Sequence, residues 1–366
     1  MATIKEMLEI GGTFDGAEKI ALSLIDSGRK EFIMDLQLLY AAQGKMDLVK
    51  KWEHEADKFL PFCERRAFNR AWHYMQEGNL ELAMDCLFIS RRQRLFGSPF
   101  PNIQANLWDM TSSLEGKRLL LFGEGGLGDE IINVRFAKNF KELGAKTIVS
   151  CNCHLLNLFS TVDGVDSIID VRAIDMTYAD YFVPAMSAPL FLKLSYENLP
   201  KKPYIKIKEN VAWNYIIPKD SYNIGIRWAG NPQFEHEQFR KFPVELMFNL
   251  SKIPGVKLYS LQRDNDMVDL PSDITDLSSM IYTWEDTACA VNKMDLIITS
   301  CTSVAHLSAA MGQKTWIPVP VMPYYLWARN ETDWYSNVKL FRQKTFGFWD
   351  DTFAEIYKEL EKIVKK

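Results

Sequence analysis

The stretch Arg118-Leu119-Leu120-Leu121-Phe122-Gly123-Glu124-Gly125-Gly126-Leu127-Gly128-Asp129-Glu130 decides the fold. A short apolar run enters a glycine loop, and a helix-forming segment spans 129–143. Such an uninterrupted run fits a strand covered on both faces, as in a parallel sheet. The glycines satisfy G-x-G-x-x-G, the loop that brings backbone amides against a pyrophosphate in dinucleotide-binding folds. Two observations oppose that ligand. The next predicted strand, 147–150, runs into Cys151-Asn152-Cys153 with no carboxylate to hold a ribose. Asp129 and Glu130 also open the helix, where they suit its dipole but compete with a phosphate for the same amides. Asp129 on a tight turn at the top of a strand is placed to act as a general base. A plain N-terminal cap, stabilising by about 1 kcal/mol, is the other reading, and position alone leaves the two even.

Outward from this stretch the pattern repeats. Apolar runs at 167–171 and 181–183 continue an alternation of strands and helices that predicts a parallel sheet of Rossmann type. A polar stretch at 197–220, with Lys201, Lys202, Lys206 and Lys208, interrupts it. A second series then has strands at 224–228, 256–261, 296–299 and 315–319, and helices at 244–252, 284–292 and 303–311. An amphipathic helix from about Asp351 closes the chain. Two Rossmann-like domains with a cleft between them are expected, with ligands beyond the carboxyl ends of the strands.

Residues 1–95 read as helices, with no proline before Pro61. Tyr40, Gly44 and Lys45-Met46-Asp47-Leu48 match Tyr74, Gly78 and Asn79-Leu80-Glu81-Leu82 at an offset of 34 residues. That is the tetratricopeptide period, in which each helix pair needs a neighbour to cover its apolar face. The segment 96–115, with Gly97, Pro99 and Pro101, reads as a linker or crossing segment.

Composition sets the outer bounds. With 366 residues, 47% hydrophobic and 13% aromatic, the chain is too apolar to be disordered. Forty-three basic against 47 acidic residues give a net charge of −4, against bulk polyanion binding but compatible with one small anion. Arg91, Arg92 and Arg94 read as a helix face. The opening Met1-Ala2-Thr3-Ile4-Lys5-Glu6 has neither a secretory nor a transit pattern, and the six scattered cysteines lack a disulfide spacing, so a cytoplasmic protein is expected. Cys151-x-Cys153 has no second ligand pair, so no metal is expected.

Several ordered segments together resemble one family. They are Leu107-Trp108-Asp109, Leu114-Glu115-Gly116-Lys117-Arg118 into the glycine loop, Ile224-Gly225-Ile226-Arg227-Trp228-Ala229-Gly230-Asn231-Pro232, and Thr302-Ser303-Val304-Ala305-His306-Leu307 followed by Ala310-Met311-Gly312. They look like tetratricopeptide-repeat proteins with a GT-B glycosyltransferase region, similar to bacterial heptosyltransferases and distantly to O-linked N-acetylglucosamine transferases. The resemblance covers about 107–350. It implies an α/β fold with a GT-B-like pair of Rossmann-type domains behind an all-α repeat domain. The expected divisions are 1–95 repeats, 96–115 linker, 116–218 acceptor domain, 219–350 donor domain and 351–366 terminal helix. Two positions depart from it: Gly125 stands where glutamine is common, and Cys301 where aspartate often stands.

The resemblance implies an inverting, metal-independent transfer of a sugar from a nucleotide sugar to an acceptor hydroxyl, without a cofactor. Asp129 is then the base. Thr302 and Ser303 open a helix whose free amides form an anion site. His306 lies on the same face as Thr302, as a phosphate donor or a core residue. The resemblance places Arg240, three before Pro243, on the diphosphate, where charge stabilises a leaving group. Further donor-binding candidates are Arg227, Asn231, Gln262 in Leu261-Gln262-Arg263-Asp264, Trp284 (base stacking or packing) and Asp286 (ribose). Tyr324, Tyr325, Trp327, Trp334 and Tyr335 suit either sugar stacking or interdomain packing. The acceptor stays open among a protein, a glycan and a nucleic-acid base. The alternative function is a repeat-type binding or scaffold protein with a weakly catalytic GT-B region.

Overall fold

The computed structural model describes residues 4–365, apart from 92–93, 96–97, 100, 209–212, 234–236, 264–267 and 331. Arg92 and Asp264, named above, lie outside the described residues. Helices α1 (Ile4–Gly11), α2 (Phe14–Asp26), α3 (Ile33–Ala42), α4 (Met46–Phe59), α5 (Glu64–Gln76) and α6 (Leu80–Arg91) pack in successive pairs. The pairs α3–α4 and α5–α6 repeat in backbone as well as in sequence. Lys45 N–H donates to the Tyr40 carbonyl at 2.9 Å, and Asn79 N–H to the Tyr74 carbonyl at 2.8 Å. Gly44 and Gly78 carry the chain round between them at φ +70° and +82°. These left-handed glycines let the end of each helix satisfy its last carbonyls.

Two all-parallel sheets follow. The first contains β1 (Asn106–Leu107), β2 (Arg118–Phe122), β3 (Lys146–Cys151), β4 (Ser167–Asp170) and β5 (Tyr181–Pro184), in the order β1-β5-β2-β3-β4. The second contains β6 (Tyr222–Arg227), β7 (Val256–Ser260), β8 (Ile274–Asp276), β9 (Leu296–Thr299), β10 (Thr315–Val319) and β11 (Val338–Arg342), in the order β8-β7-β6-β9-β10-β11. Both orders reverse direction once in the middle, as in doubly wound sheets. Helix α7 (Leu127–Asn133) follows β2, α8 (Trp284–Asn292) precedes β9, α9 (Ser303–Ala310) follows it, and α10 (Asp350–Val364) closes the chain. The architecture is an α/β pair of Rossmann-like sheets behind a helical region, as expected.

Five strands differ from the reading of the sequence, two of them a short antiparallel pair, Arg94–Leu95 with Ser98–Pro99, which puts Arg94 in a strand and not on a helix face. Part of the crossing segment forms edge strand β1, and β8 and β11 add to the second sheet. The helix expected over 129–143 breaks into α7, a 3₁₀ turn at Val134–Phe136 and a short helix at Ala137–Glu142. Arg135 sits at the break, where its Nε donates to the Ile132 carbonyl at 2.7 Å.

The core is continuous from one sheet to the other. One buried apolar cluster joins Met75, Met84 and Leu87 of the helical region, Leu119, Ile131 and Phe136 of the first sheet domain, and Ala305, Leu307, Trp327 and Trp334 of the second. A separate cluster packs Phe32, Leu36 and Leu39 against Phe239. The helical region therefore rests on both sheet domains.

A methyl group on Gly44 meets open space, so its cost is backbone strain alone. Gly44→Ala is expected to lower stability by about 1–2 kcal/mol, read as a shift of the urea midpoint.

Candidate functional site at the junction of the two sheets

Ligands of doubly wound sheets bind where the strand order reverses. In the first sheet that point lies between β2 and β5, and in the second between β6 and β9. The glycine loop leaves β2 there and enters α7; residues 300–302 leave β9 and enter α9. These two helices meet by their first turns. A Cβ on Gly128 would lie 3.3 Å from His306 Cδ2 and 3.5 Å from Ser303 Cα. The two first turns therefore abut closely, which brings the two switch points to one junction.

Asp129, in the first turn of α7, is the carboxylate at this junction. Its Oδ2 accepts from Gly126 N–H at 2.8 Å, and its Oδ1 accepts from the Tyr324 hydroxyl. Burial raises its pKa from the usual carboxylate value, opposed by the Tyr324 and Gly126 hydrogen bonds. It is both a cap and a base candidate, since it is half-buried at the mouth of the junction. Burial also raises Glu124, against the attraction of Arg91, and pushes Glu130 up to about 7, against a 2.8 Å hydrogen bond from Asn152 N–H.

Arg240 approaches from the other side. Its guanidinium donates to the Cys301 carbonyl and to Glu237, and a Cβ on Gly230 would lie 2.5 Å from its Nη2. It thus stands beside the N-terminus of α9. Ser303 is half-buried there and Thr302 is buried, with its hydroxyl 3.3 Å from that of Thr299. His306 is buried one turn in. Its ring stacks on Trp327 with centroids 5.6 Å apart and planes 2° from parallel, and its Nδ1 faces the Tyr335 hydroxyl at 3.4 Å. Burial, then Arg135 and Arg240, push its pKa down to about 3, so the imidazole is neutral.

Five further donor-binding candidates have partners within the protein. The Arg227 guanidinium donates to the carbonyls of Ala229 at 3.1 Å and Leu261 at 3.2 Å. Gln262 accepts from Trp228 N–H at 3.3 Å and Ala229 N–H at 3.1 Å, and donates back to the Ala229 carbonyl at 3.3 Å. Both hold the loop after β6 from behind. One oxygen of Asp286 closes a capping box on α8, accepting from the amides of Tyr282 and Thr283 and from the Thr283 hydroxyl. Trp284 packs between two apolar clusters. Asn231 is exposed, its Oδ1 accepting from Gln233 N–H at 3.0 Å in a local turn.

The aromatic segment resolves as interdomain packing, with Trp327, Trp334 and Tyr335 at 0–1% exposure. Arg135, overlooked in the sequence, is its partner. It is buried, donates to the Pro200 and Trp334 carbonyls at 3.1 and 2.7 Å, and lies 4.4 Å from the Tyr335 ring centroid. No carboxylate among the described residues pairs with it; its charge is met by carbonyls and ring faces. The signal was present, an arginine inside the apolar run Ile131-Ile132-Asn133-Val134-Arg135-Phe136.

No family model and no curated protein matches this chain. Among solved structures it is similar to a family 9 glycosyl transferase from Veillonella parvula, with 13% identity and a TM-score of 0.49 over 70% of this chain and 93% of that one. It is also similar to the ADP-heptose lipopolysaccharide heptosyltransferase II of E. coli, with 11% identity and a TM-score of 0.46 over 68% of this chain and 98% of that one. An O-GlcNAc transferase variant from Thermobaculum terrenum aligns over 97% of this chain and 82% of its own, with 12% identity and a TM-score of 0.34. These are distant likenesses.

Glu130 gives a pH test. Its folded pKa lies above its unfolded value, so its contribution is complete below the usual carboxylate range and is lost as pH rises to about 7. Glu130→Gln keeps the acceptor for Asn152 without the charge. Its stability relative to the parent is expected to rise between pH 4.5 and 7 by roughly 2–4 kcal/mol and then level off, read from melting temperatures.

Proposed function

We propose that the chain is an inverting, metal-independent glycosyltransferase that moves a sugar from a nucleotide sugar to an acceptor hydroxyl. The observation that carries this is the abutment of two switch points, with a carboxylate from one sheet domain and an anion-binding helix terminus from the other. Asp129 takes the proton from the acceptor hydroxyl as it attacks the anomeric carbon; its raised pKa makes it a stronger base than a solvated carboxylate. Tyr324, whose own pKa stands well above the usual phenol value, stays a hydroxyl and fixes the carboxylate in place.

The leaving diphosphate is received by the first amides of α9, the Ser303 hydroxyl and Arg240. His306, being neutral, serves by hydrogen bonding and by stacking rather than by charge. Thr302 shapes the turn. Arg227 and Gln262 act one layer behind, holding the loop that carries Gly230 and Asn231. The helical pairs are read as tetratricopeptide-like repeats, and the domain divisions as those expected from the sequence, except that the first sheet domain takes in β1 from the segment 96–115. The donor, the acceptor and a cytoplasmic setting belong to the same proposal.

One observation favours a binding role without turnover: Glu237 already pairs with Arg240. A single pair of measurements separates the two. Asp129→Asn is expected to slow release of nucleoside diphosphate by about 10²–10⁴-fold, while calorimetric binding of that diphosphate changes little. An unchanged rate removes Asp129 from the base role; no binding of any nucleoside diphosphate by the parent chain favours the scaffold.

A further inference from the structure

The last repeat helix ends inside the site. Arg91, at the end of α6, is buried rather than part of a basic face. Its Nε lies 3.3 Å from Glu124 Oε1, with the two side chains 7% and 1% exposed. Its Nη2 donates to the Ser187 hydroxyl at 2.9 Å. Glu124 Oε2 in turn accepts from Met186 N–H at 3.3 Å. Glu124 belongs to the loop after β2, and Met186 and Ser187 to the 3₁₀ turn Ala185–Ser187 after β5. The guanidinium therefore sits across the point where the strand order of the first sheet reverses.

The loop needs a cation there. Glu124, Asp129 and Glu130 lie within seven residues and are all at least half-buried. Like charges in a low dielectric repel, and an unpaired buried carboxylate costs several kcal/mol, so such a loop holds its shape only beside a compensating charge. The groups facing Asp129 are Glu124 and Glu130 from its own segment, Tyr324 and Tyr325 from the aromatic segment, Cys301 ahead of α9, and Arg91. Arg91 supplies the positive charge from another part of the chain.

We propose that Arg91 is a positioning residue of the site: through the buried pair with Glu124 it sets the glycine loop that carries Asp129. The helical region is then a working part of the site and not a detachable docking module. The kinetic half of this rests on Asp129 being the base; the structural half does not.

The test uses the full chain with R91M, R91K and the double variant R91M/E124Q. Hydrogen exchange of the amides of 123–129 is read first, then the pH dependence of kcat for diphosphate release. R91M is expected to speed exchange in the loop about tenfold or more and to move the acid limb of the kcat profile upward, since Asp129 loses a nearby cation. R91K, which keeps the charge, falls between R91M and the parent. R91M/E124Q removes both buried charges and is expected to return exchange and limb toward the parent. A purely structural role would leave the double variant as impaired as the single one, and that result overturns the proposal. Unchanged loop exchange in a folded R91M overturns it as well. If R91M does not fold, parent-like exchange in R91M/E124Q supports the proposal and fast exchange overturns it. A parent chain that releases no diphosphate from any nucleotide sugar defeats the functional reading, while the exchange arm still decides the role of Arg91.

Discussion

The contact between the first turns of α7 and α9 at Gly128 is the constraint on which the rest depends. Two doubly wound sheets can each present a switch point, but a shared site needs the two points within a few ångströms. The backbone at Gly128 lies that close to Ser303 and His306. Once the helices touch, the apolar clusters on either side merge, and Trp327 and Trp334 become core residues common to both domains. Arg135 crosses the same junction to the Trp334 carbonyl. Hydrophobic burial supplies the driving force, while the directional bonds fix the angle between the sheets.

The nearly balanced net charge of −4 conceals how unevenly the buried charges are placed. Arg91, Glu124, Glu130, Arg135, Arg227 and Glu237 are all buried around this one junction. Desolvation is costly for each, and each is met differently: by an opposite charge, by carbonyls, by amides or by ring faces. The consequence is a site whose dipoles are fixed before any ligand arrives. His306 is neutral and the carboxylates are weaker acids than in water. Under the proposed transfer, preorganised dipoles of this kind would need no rearrangement as charge moves onto the leaving group.

What the sequence made legible follows the same physics. Strands β2, β9 and β10 are covered on both faces, so they appear as mainly apolar runs beside a glycine or polar loop. Strand β11, Val338-Lys339-Leu340-Phe341-Arg342, lies at a sheet edge with only Val338 and Phe341 buried, and β8 has only three residues, so neither stands out. The helix termini that build the site were readable from their neighbours in sequence. The roles of Arg227 and Gln262 were not, because they act on carbonyls and amides contributed by other strands. Sequence shows a polar side chain beside a loop, and only the fold shows which backbone it satisfies.

The two departures from the resembling pattern have physical counterparts on opposite sides of the junction. Gly125 has φ +84°, and a Cβ there would lie 2.7 Å from Asp129 Oδ2. The glycine is what lets Asp129 fold back onto the Gly126 amide while its other oxygen meets Tyr324. Cys301, in place of an aspartate, is buried, with its thiol pushed up to about 11 and its sulfur accepting from Trp327 Nε1 at 3.0 Å. A carboxylate at 301 would add a buried negative charge close to Asp129 and Glu237, both already felt by the thiol. A neutral sulfur instead leaves Trp327 free to stack on His306 and leaves the Arg240 guanidinium shared between Glu237 and the Cys301 carbonyl. Glycine at 125 and cysteine at 301 thus act in the same sense: one admits the carboxylate of Asp129 into the junction, and the other keeps a second carboxylate out.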